Sequence, residues 1–193
     1  MINEARARLI LFSIIQPADP FWSYEINQRG GLSVYRRIIS GNYFLKQQDI
    51  LKLQQQIMQR KVEDLEIEIN NAGGIFITPE DSDWPFSLAD LATPPIGLVI
   101  AGDRSALLKL DKSISIVGSR QPTNYGLQLS YSLASQACLA QLVVVSGGAY
   151  GIDTASHQGA LSVGGLSIAV LAGGINRLYP LENKKLFKDI TKS

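Results

Sequence analysis

The segment that decides the fold of this chain runs from Ser113 to Gly126 and reads SISIVGSRQPTNYG. It opens with alternating serine and β-branched residues, turns at Gly118, and continues into a helical pattern from about Asn124 to Ala140. Thr123 stands directly before that helix, where its hydroxyl can cap the first exposed amides. The segment therefore predicts a buried strand over 113–117, a loop and a helix.

The same order of strand, glycine-containing loop and helix occurs twice more downstream. Its members are strand Leu142–Val145, loop 146–151, helix 152–163, strand Leu166–Leu171, loop 172–180 and helix 182–190. Such alternation is typical of a parallel sheet with right-handed crossovers. We therefore predict an α/β fold with an incomplete Rossmann-like parallel sheet, the first half only, since no fourth strand precedes Ser193.

The region before this pattern has a different character. Helical periodicity covers the stretches 4–16, 21–29, 32–39 and 46–70, and two short strands follow at 75–77 and 98–100. We expect a small helical N-terminal domain over 1–72 and the Rossmann-like domain over 73–193.

Charge is distributed unevenly along a chain whose net charge is only +1. Residues 1–61 hold nine basic and four acidic side chains, 62–111 hold two and ten, and 112–193 hold seven and three. A neutral total can hide a locally positive face that suits a polyanion. On charge alone, the uneven distribution is explained better by solvated faces of helices than by a binding face for a polyanion.

Cysteine usage and hydropathy indicate a cytoplasmic protein. Cys138 is the only cysteine, so no intrachain disulfide can form, and it lies among apolar helical residues. No apolar run approaches the ~20 residues of a membrane-spanning helix, so we expect no membrane span.

Three glycine-containing loops, 118–123, 146–151 and 172–180, are predicted to meet at the carboxyl edge of the sheet, where α/β folds bind ligands. Glycine permits close backbone approach, and the helix that follows each loop directs its amides and dipole at an anion. Arg120 adds a planar guanidinium suited to phosphate. Tight turns alone would explain one such loop, but three at one edge favour an anion site.

The chain lacks the sequence motifs that define several classes of enzyme. The chain has no G-x-G-x-x-G, no P-loop and no G-x-S-x-G, and His157 is its only histidine. We therefore expect no nucleotide cofactor, no metal site and no catalytic role. Asp153 and His157 lie four residues apart on one helix face, either shaping the second loop together or serving as a helix cap and a satisfied buried histidine.

Taken together, these segments resemble the DNA-processing protein A family, also called DprA or Smf. The matching residues are Asp83-Trp84-Pro85, Gly102-Asp103, Ile116 to Gly126, Val144 to Asp153, His157, Ala160-Leu161, Ala169 to Leu171, Tyr179-Pro180, Asn183 and Leu186. The resemblance covers about residues 75–190, and the run of spaced motifs is far more specific than any single loop.

The resemblance implies a protein that binds single-stranded DNA, protects incoming DNA in natural transformation and helps to load the RecA recombinase. The DNA-binding residues it implies are Gly118, Ser119, Arg120, Gly147, Gly148, Ala149, Tyr150, Lys184 and Lys185. Tyr150 stands where many members carry a basic residue, and it either stacks on a base or packs within the loop. Asn176 stands where aspartate is common.

The family's second half, with its later motifs and strands, is not found in this sequence. We therefore expect a chain truncated within the Rossmann-like domain that binds DNA weakly, lacks the family homodimer and does not load RecA. Two other interpretations stay open: a phosphoribohydrolase-like nucleotide-processing enzyme on a related fold, and an interaction module without a ligand.

Overall fold

The computed structural model describes residues 1–43 and 47–193, which form two compact units, 1–100 and 101–193. The first unit holds five helices and a two-stranded antiparallel sheet. Its elements are α1 (Glu4–Ile14), α2 (Pro20–Arg29), α3 (Gly31–Ile39), α4 (Gln47–Gln59), α5 (Val62–Asn71), β1 (Ile75–Ile77) and β2 (Leu98–Ile100). No helix in these described ranges is long and apolar enough to cross a membrane.

A half-buried glutamate, Glu4, links the first and third helices of the first unit. The Glu4 carboxylate accepts hydrogen bonds from the backbone N–H groups of Gly31 and Leu32, and it pairs with Arg8 at 2.8 Å. Helix α3 has no side-chain cap of its own, so Glu4 supplies one from 27 residues earlier in the chain. These amide and guanidinium partners lower the pKa of Glu4 against the opposing effect of burial.

The single helix predicted over 46–70 is wrong: two helices, α4 and α5, are separated at Arg60 and Lys61. Lys61 has an extended backbone, with φ −92° and ψ 124°, and Val62 after it is buried. The helical spacing of apolar residues continues across this break, because α4 and α5 both pack their apolar faces against the same hydrophobic core. The predicted start at Lys46 lies outside the described residues.

The second unit is a three-stranded parallel sheet with its helices. Strands β3 (Ser113–Ser115), β4 (Val143–Ser146) and β5 (Ser167–Ala169) lie in the order β3-β4-β5. The helices are α6 (Asn124–Leu139), α7 (Ile152–Ser162) and α8 (Lys184–Ile190), the last preceded by a short 3-10 turn at Leu181–Asn183. The predicted α/β Rossmann-like class is confirmed.

Close helix packing depends on Gly159 of α7. A Cβ at this position would lie 2.2 Å from the carbonyl oxygen of Tyr131 in α6. The two helices approach closely over a core cluster of small residues, in which Ala134, Ala160 and Val144 are fully buried.

Strand β3 is an edge strand, and the burial predicted for 113–117 is wrong. All three of its residues are exposed, and beyond the strand Val117 is 68% exposed. The ladder continues one step, because the Ile116 N–H donates to the Val145 carbonyl at 3.0 Å. Only β4 pairs with β3 in the described chain, so its other edge has no strand partner.

The two compact units part between Ile100 and Ala101. Strands β1 and β2 pair with each other in antiparallel register, Ile75 opposite Ile100, and group with the helices. The two compact units therefore divide 28 residues after the predicted domain boundary at 72/73. Compact units need not coincide with domains, so that boundary stays a prediction.

Candidate functional site

The first and second loops of the parallel sheet are held in contact. The Ile152 N–H donates to the Ser119 carbonyl at 3.2 Å. Gly151 has φ +80°, and a Cβ there would lie 2.3 Å from that same carbonyl oxygen. A Cβ on Gly118 would lie 2.9 Å from the Ile152 side chain. These glycines permit the close approach that sets Ser119 and Arg120 beside the first turn of α7.

Asp153 shapes the second loop. Its buried carboxylate accepts a hydrogen bond from the Ala149 N–H at 3.2 Å. A Cβ at Gly147 would lie 2.9 Å from the same carboxylate oxygen. The Ala149 amide is therefore already engaged by the protein, whereas Gly147 is exposed.

The second loop is also tied to the start of α8. The Asn183 side-chain amide donates to the Gly148 carbonyl at 3.0 Å and to the Thr154 hydroxyl at 2.7 Å. Gly148 is buried with φ +74°, and a Cβ there would lie 2.5 Å from the Phe187 ring. Gly148 thus serves the packing of the loop, and its position demands glycine for both space and conformation.

Tyr150 contacts the third loop through its ring and the 3-10 turn after that loop through its hydroxyl. The hydroxyl donates to a carboxylate oxygen of Glu182, and the ring meets that of Tyr179 edge-on, with centroids 6.3 Å apart. The bond to Glu182 is the main cause that raises the pKa of Tyr150 to about 12, and it lowers the pKa of Glu182. Tyr150 therefore has a packing role in this structure.

The basic residues of the predicted site are all exposed. Arg120 lies in the first loop, and Lys184 and Lys185 open α8. Within the described ranges none of the three forms an ion pair. The exposed Ser119 hydroxyl accepts the Gln121 N–H at 3.0 Å, which leaves its own proton free to donate. The exposed groups are therefore suited to an anion.

His157 lies in the core, away from this exposed surface. It is fully buried, and its Nδ1 lies 2.7 Å from the Ser167 hydroxyl, which in turn donates to the Val144 carbonyl. Burial lowers the pKa of His157 to about 4, although Asp153 opposes the shift. Asp153 thus shapes the loop without a hydrogen bond to His157, whose neutral ring packs structurally.

Two residues that contribute to this edge of the sheet, Asn183 and Tyr179, were not predicted as site residues from the sequence. Both belonged to the resembling motifs, but neither carries charge and neither follows a strand directly. Across the parts of the chain that are described, no group of three or more His, Cys, Asp or Glu side chains could hold a metal ion.

The parallel sheet, its crossover helices and its basic, glycine-containing edge define a Rossmann-like α/β domain with a candidate anion site. The chain belongs to the DNA recombination-mediator protein A family, whose family model matches residues 75–193. The family predicted from the sequence is confirmed.

Three relatives illustrate the similarity. The DNA processing protein DprA of Bacillus subtilis is 40% identical over 109 residues, which are 56% of this chain and 36% of that protein. The X-ray structure of DNA processing protein A from Streptococcus pneumoniae shares the fold with a TM-score of 0.76 at 24% identity, covering 100% of this chain and 65% of that one.

The third is the structure of DNA processing protein A from Helicobacter pylori, solved for insights into that protein's single-stranded DNA binding mode. It matches with a TM-score of 0.52 and 30% identity, over 63% of this chain and 54% of that one. The chain spans about a third of the length of the curated relatives it matches, 36–37% for those from B. subtilis and Mycobacterium tuberculosis.

Proposed function

We propose that this chain binds single-stranded DNA, chiefly through phosphates, at the carboxyl edge of the β3-β4-β5 sheet. The observation that carries the proposal is the fixed position of Ser119 and Arg120 beside the first turn of α7, exposed and without an ion-pair partner among the described residues. A guanidinium binds phosphate with two parallel hydrogen bonds. The H. pylori relative, for which a single-stranded DNA binding mode is described, supports the choice of ligand.

The residues of the predicted site divide into two groups by what the structure leaves accessible. Ser119, Arg120, Lys184 and Lys185 present exposed donors and are proposed to contact phosphates. Gly148 and Ala149 are proposed to hold the second loop in place, because the space at Gly148 and the amide of Ala149 are already used by protein contacts. Gly118 and Gly147, whose surfaces are exposed, are proposed to let the DNA backbone approach the loops.

Sequence-independent binding follows from this chemistry. Guanidinium, ammonium and hydroxyl groups at the edge recognise phosphate oxygens, which carry no sequence information. Affinity should therefore fall steeply with salt, by about 0.7 in log K per log salt for each phosphate contacted on a single strand.

The wider cellular role is proposed from the family. We infer a cytoplasmic protein that protects incoming DNA and assists RecA loading in natural transformation, acting as a binding protein and not as an enzyme. The homodimer and the RecA contact are likewise proposed from the family, for the whole protein.

The test is fluorescence anisotropy with labelled oligo-dT, a mixed-sequence single strand and the matching duplex, together with an assay of base release from nucleoside monophosphates. We expect similar affinities for both single strands, weaker binding to the duplex and no base release. A strong preference for one sequence, or turnover of the monophosphates, would contradict the proposal.

A further inference from the structure

We propose that Tyr179 provides the stacking surface for a nucleobase at this edge, and that Tyr150 is the residue that positions it. The inference rests on the proposed single-stranded DNA binding and names a contact with the base beside those with phosphate. The sequence left two roles open for Tyr150, stacking on a base or packing within the loop, and this inference assigns the stacking to Tyr179 instead.

Exposure separates the two tyrosines. Tyr179 is 67% exposed, whereas Tyr150 is 37% exposed. Their rings are nearly perpendicular, at 79°, with centroids 6.3 Å apart. In a perpendicular pair the neighbour covers at most one face of a ring, so the more exposed ring keeps a face open. Tyr179 therefore offers the aromatic face that a base can reach.

The contacts around Tyr150 keep that arrangement fixed. Its hydroxyl is bonded to Glu182, so the side chain is held at its tip as well as along its ring. Beside Glu182, the buried Asn183 anchors the same segment to the Gly148 carbonyl, and Pro180 next to Tyr179 is fully buried. A stacking surface that is already ordered loses little entropy when a base binds.

Charge around Tyr179 suits a nucleic acid better than an apolar partner. Arg177 lies two residues before it, and Lys184 and Lys185 follow shortly after, all exposed. Residues 101–193 hold nine basic and five acidic side chains, a net charge of +4. Glu182, the acidic residue nearest in sequence, is engaged by the Tyr150 hydroxyl. An exposed aromatic ring with basic residues nearby in the sequence suits a base and its phosphate, and every base has a face to stack.

The test compares oligo-dT with an abasic strand of the same length, which keeps the phosphates but has no bases. We expect Tyr179→Ala to bind oligo-dT about 5- to 150-fold more weakly, the usual loss of one stacked base, and to bind the abasic strand as the unmodified chain does. Tyr179→Phe should retain oligo-dT affinity, because stacking uses the ring and not the hydroxyl. Tyr24→Ala, which removes a ring 64% exposed on α2 of the first unit, is the matched control and should change neither affinity.

The positioning role of Tyr150 has its own variant. Tyr150→Phe loses the bond to Glu182 but keeps the ring, so it should weaken oligo-dT binding less than Tyr179→Ala does, with abasic binding unchanged. Circular dichroism melting of each variant checks that the fold is retained.

The outcomes separate the two proposals. If the unmodified chain binds both strands and Tyr179→Ala binds both equally well, the stacking role is wrong while phosphate binding stands. An equal loss on both strands also overturns stacking, because no base is needed for it. If the unmodified chain binds neither strand, the proposed function fails and the stacking role fails with it.

Discussion

The side-chain amide of Asn183 donates a 3.0 Å hydrogen bond to the carbonyl oxygen of Gly148, 35 residues earlier in the chain. Both residues are buried, so neither polar group can reach water and each needs the other as its hydrogen-bond partner. Through it the start of α8, with Lys184 and Lys185, is fixed to the loop that follows β4. The geometry of the proposed DNA-binding edge thus depends on a residue that carries no charge.

Asn183→Ala is expected to lower the free energy of unfolding of the second unit by about 1–3 kcal/mol, because the buried Gly148 carbonyl loses its partner. Urea denaturation followed by circular dichroism measures it. Tryptophan fluorescence is unsuitable, since Trp22 and Trp84 both lie in the first unit. Asn124→Ala, an exposed asparagine of α6, is the control and should change stability little. Equal stability of the two variants would contradict the anchoring role of Asn183.

Acid should destabilise the second unit through His157. Burial holds its pKa at about 4 in the folded chain, against 6.5 when unfolded, so folding favours the neutral ring. The stabilisation linked to the neutral His157 ring is fully present above pH 6.5. It is lost as the pH falls from 6.5 toward 4, which lowers the free energy of unfolding by about 3 kcal/mol in all.

The measurement is the free energy of unfolding from pH 7 to pH 4 for the unmodified chain and for His157→Gln. Carboxylates titrate in both proteins, so the difference between the two curves isolates the histidine. We expect the unmodified chain to lose its advantage over His157→Gln as pH falls. Parallel curves would show that His157 is not held neutral by burial.

Much of the second unit could be predicted from sequence because its signals are local. Strand, glycine and helix follow each other within a few residues, and the positions near Gly118, Gly148 and Gly151 agree with the observed loops. The burial predicted for the β3 strand was wrong, because apolar side chains such as Ile114 look the same on a central and an edge strand.

Contacts between distant residues account for the rest. The cap that Glu4 places on α3 and the anchor from Asn183 to Gly148 join positions 27 and 35 residues apart, which no periodicity reveals. The same holds for the Tyr150 hydroxyl, whose partner Glu182 lies 32 residues downstream. The basic residues of the proposed site were predicted from the sequence, whereas the polar contacts that hold the surrounding loops could not be.

The lysines at the start of α8 should contribute to the salt dependence of DNA binding. Each of Lys184→Gln and Lys185→Gln is expected to reduce the slope of log K against log salt by about 0.7, if each contacts one phosphate. Titrations of oligo-dT at several salt concentrations measure the slope. Lys52→Gln, an exposed lysine of α4, is the matched control and should leave it unchanged. Identical slopes for all variants would exclude the two α8 lysines from the interface.

The most direct test of the central claim is the affinity of Arg120→Ala for oligo-dT, measured by fluorescence anisotropy beside Lys52→Ala from the first unit. Losing one charge-assisted phosphate contact costs about 1.5–3 kcal/mol, so we predict roughly 10- to 150-fold weaker binding by Arg120→Ala. Lys52→Ala should bind as the unmodified chain does. A folded Arg120→Ala with unchanged affinity would contradict the account, because the exposed guanidinium beside the first turn of α7 would then have no part in binding DNA.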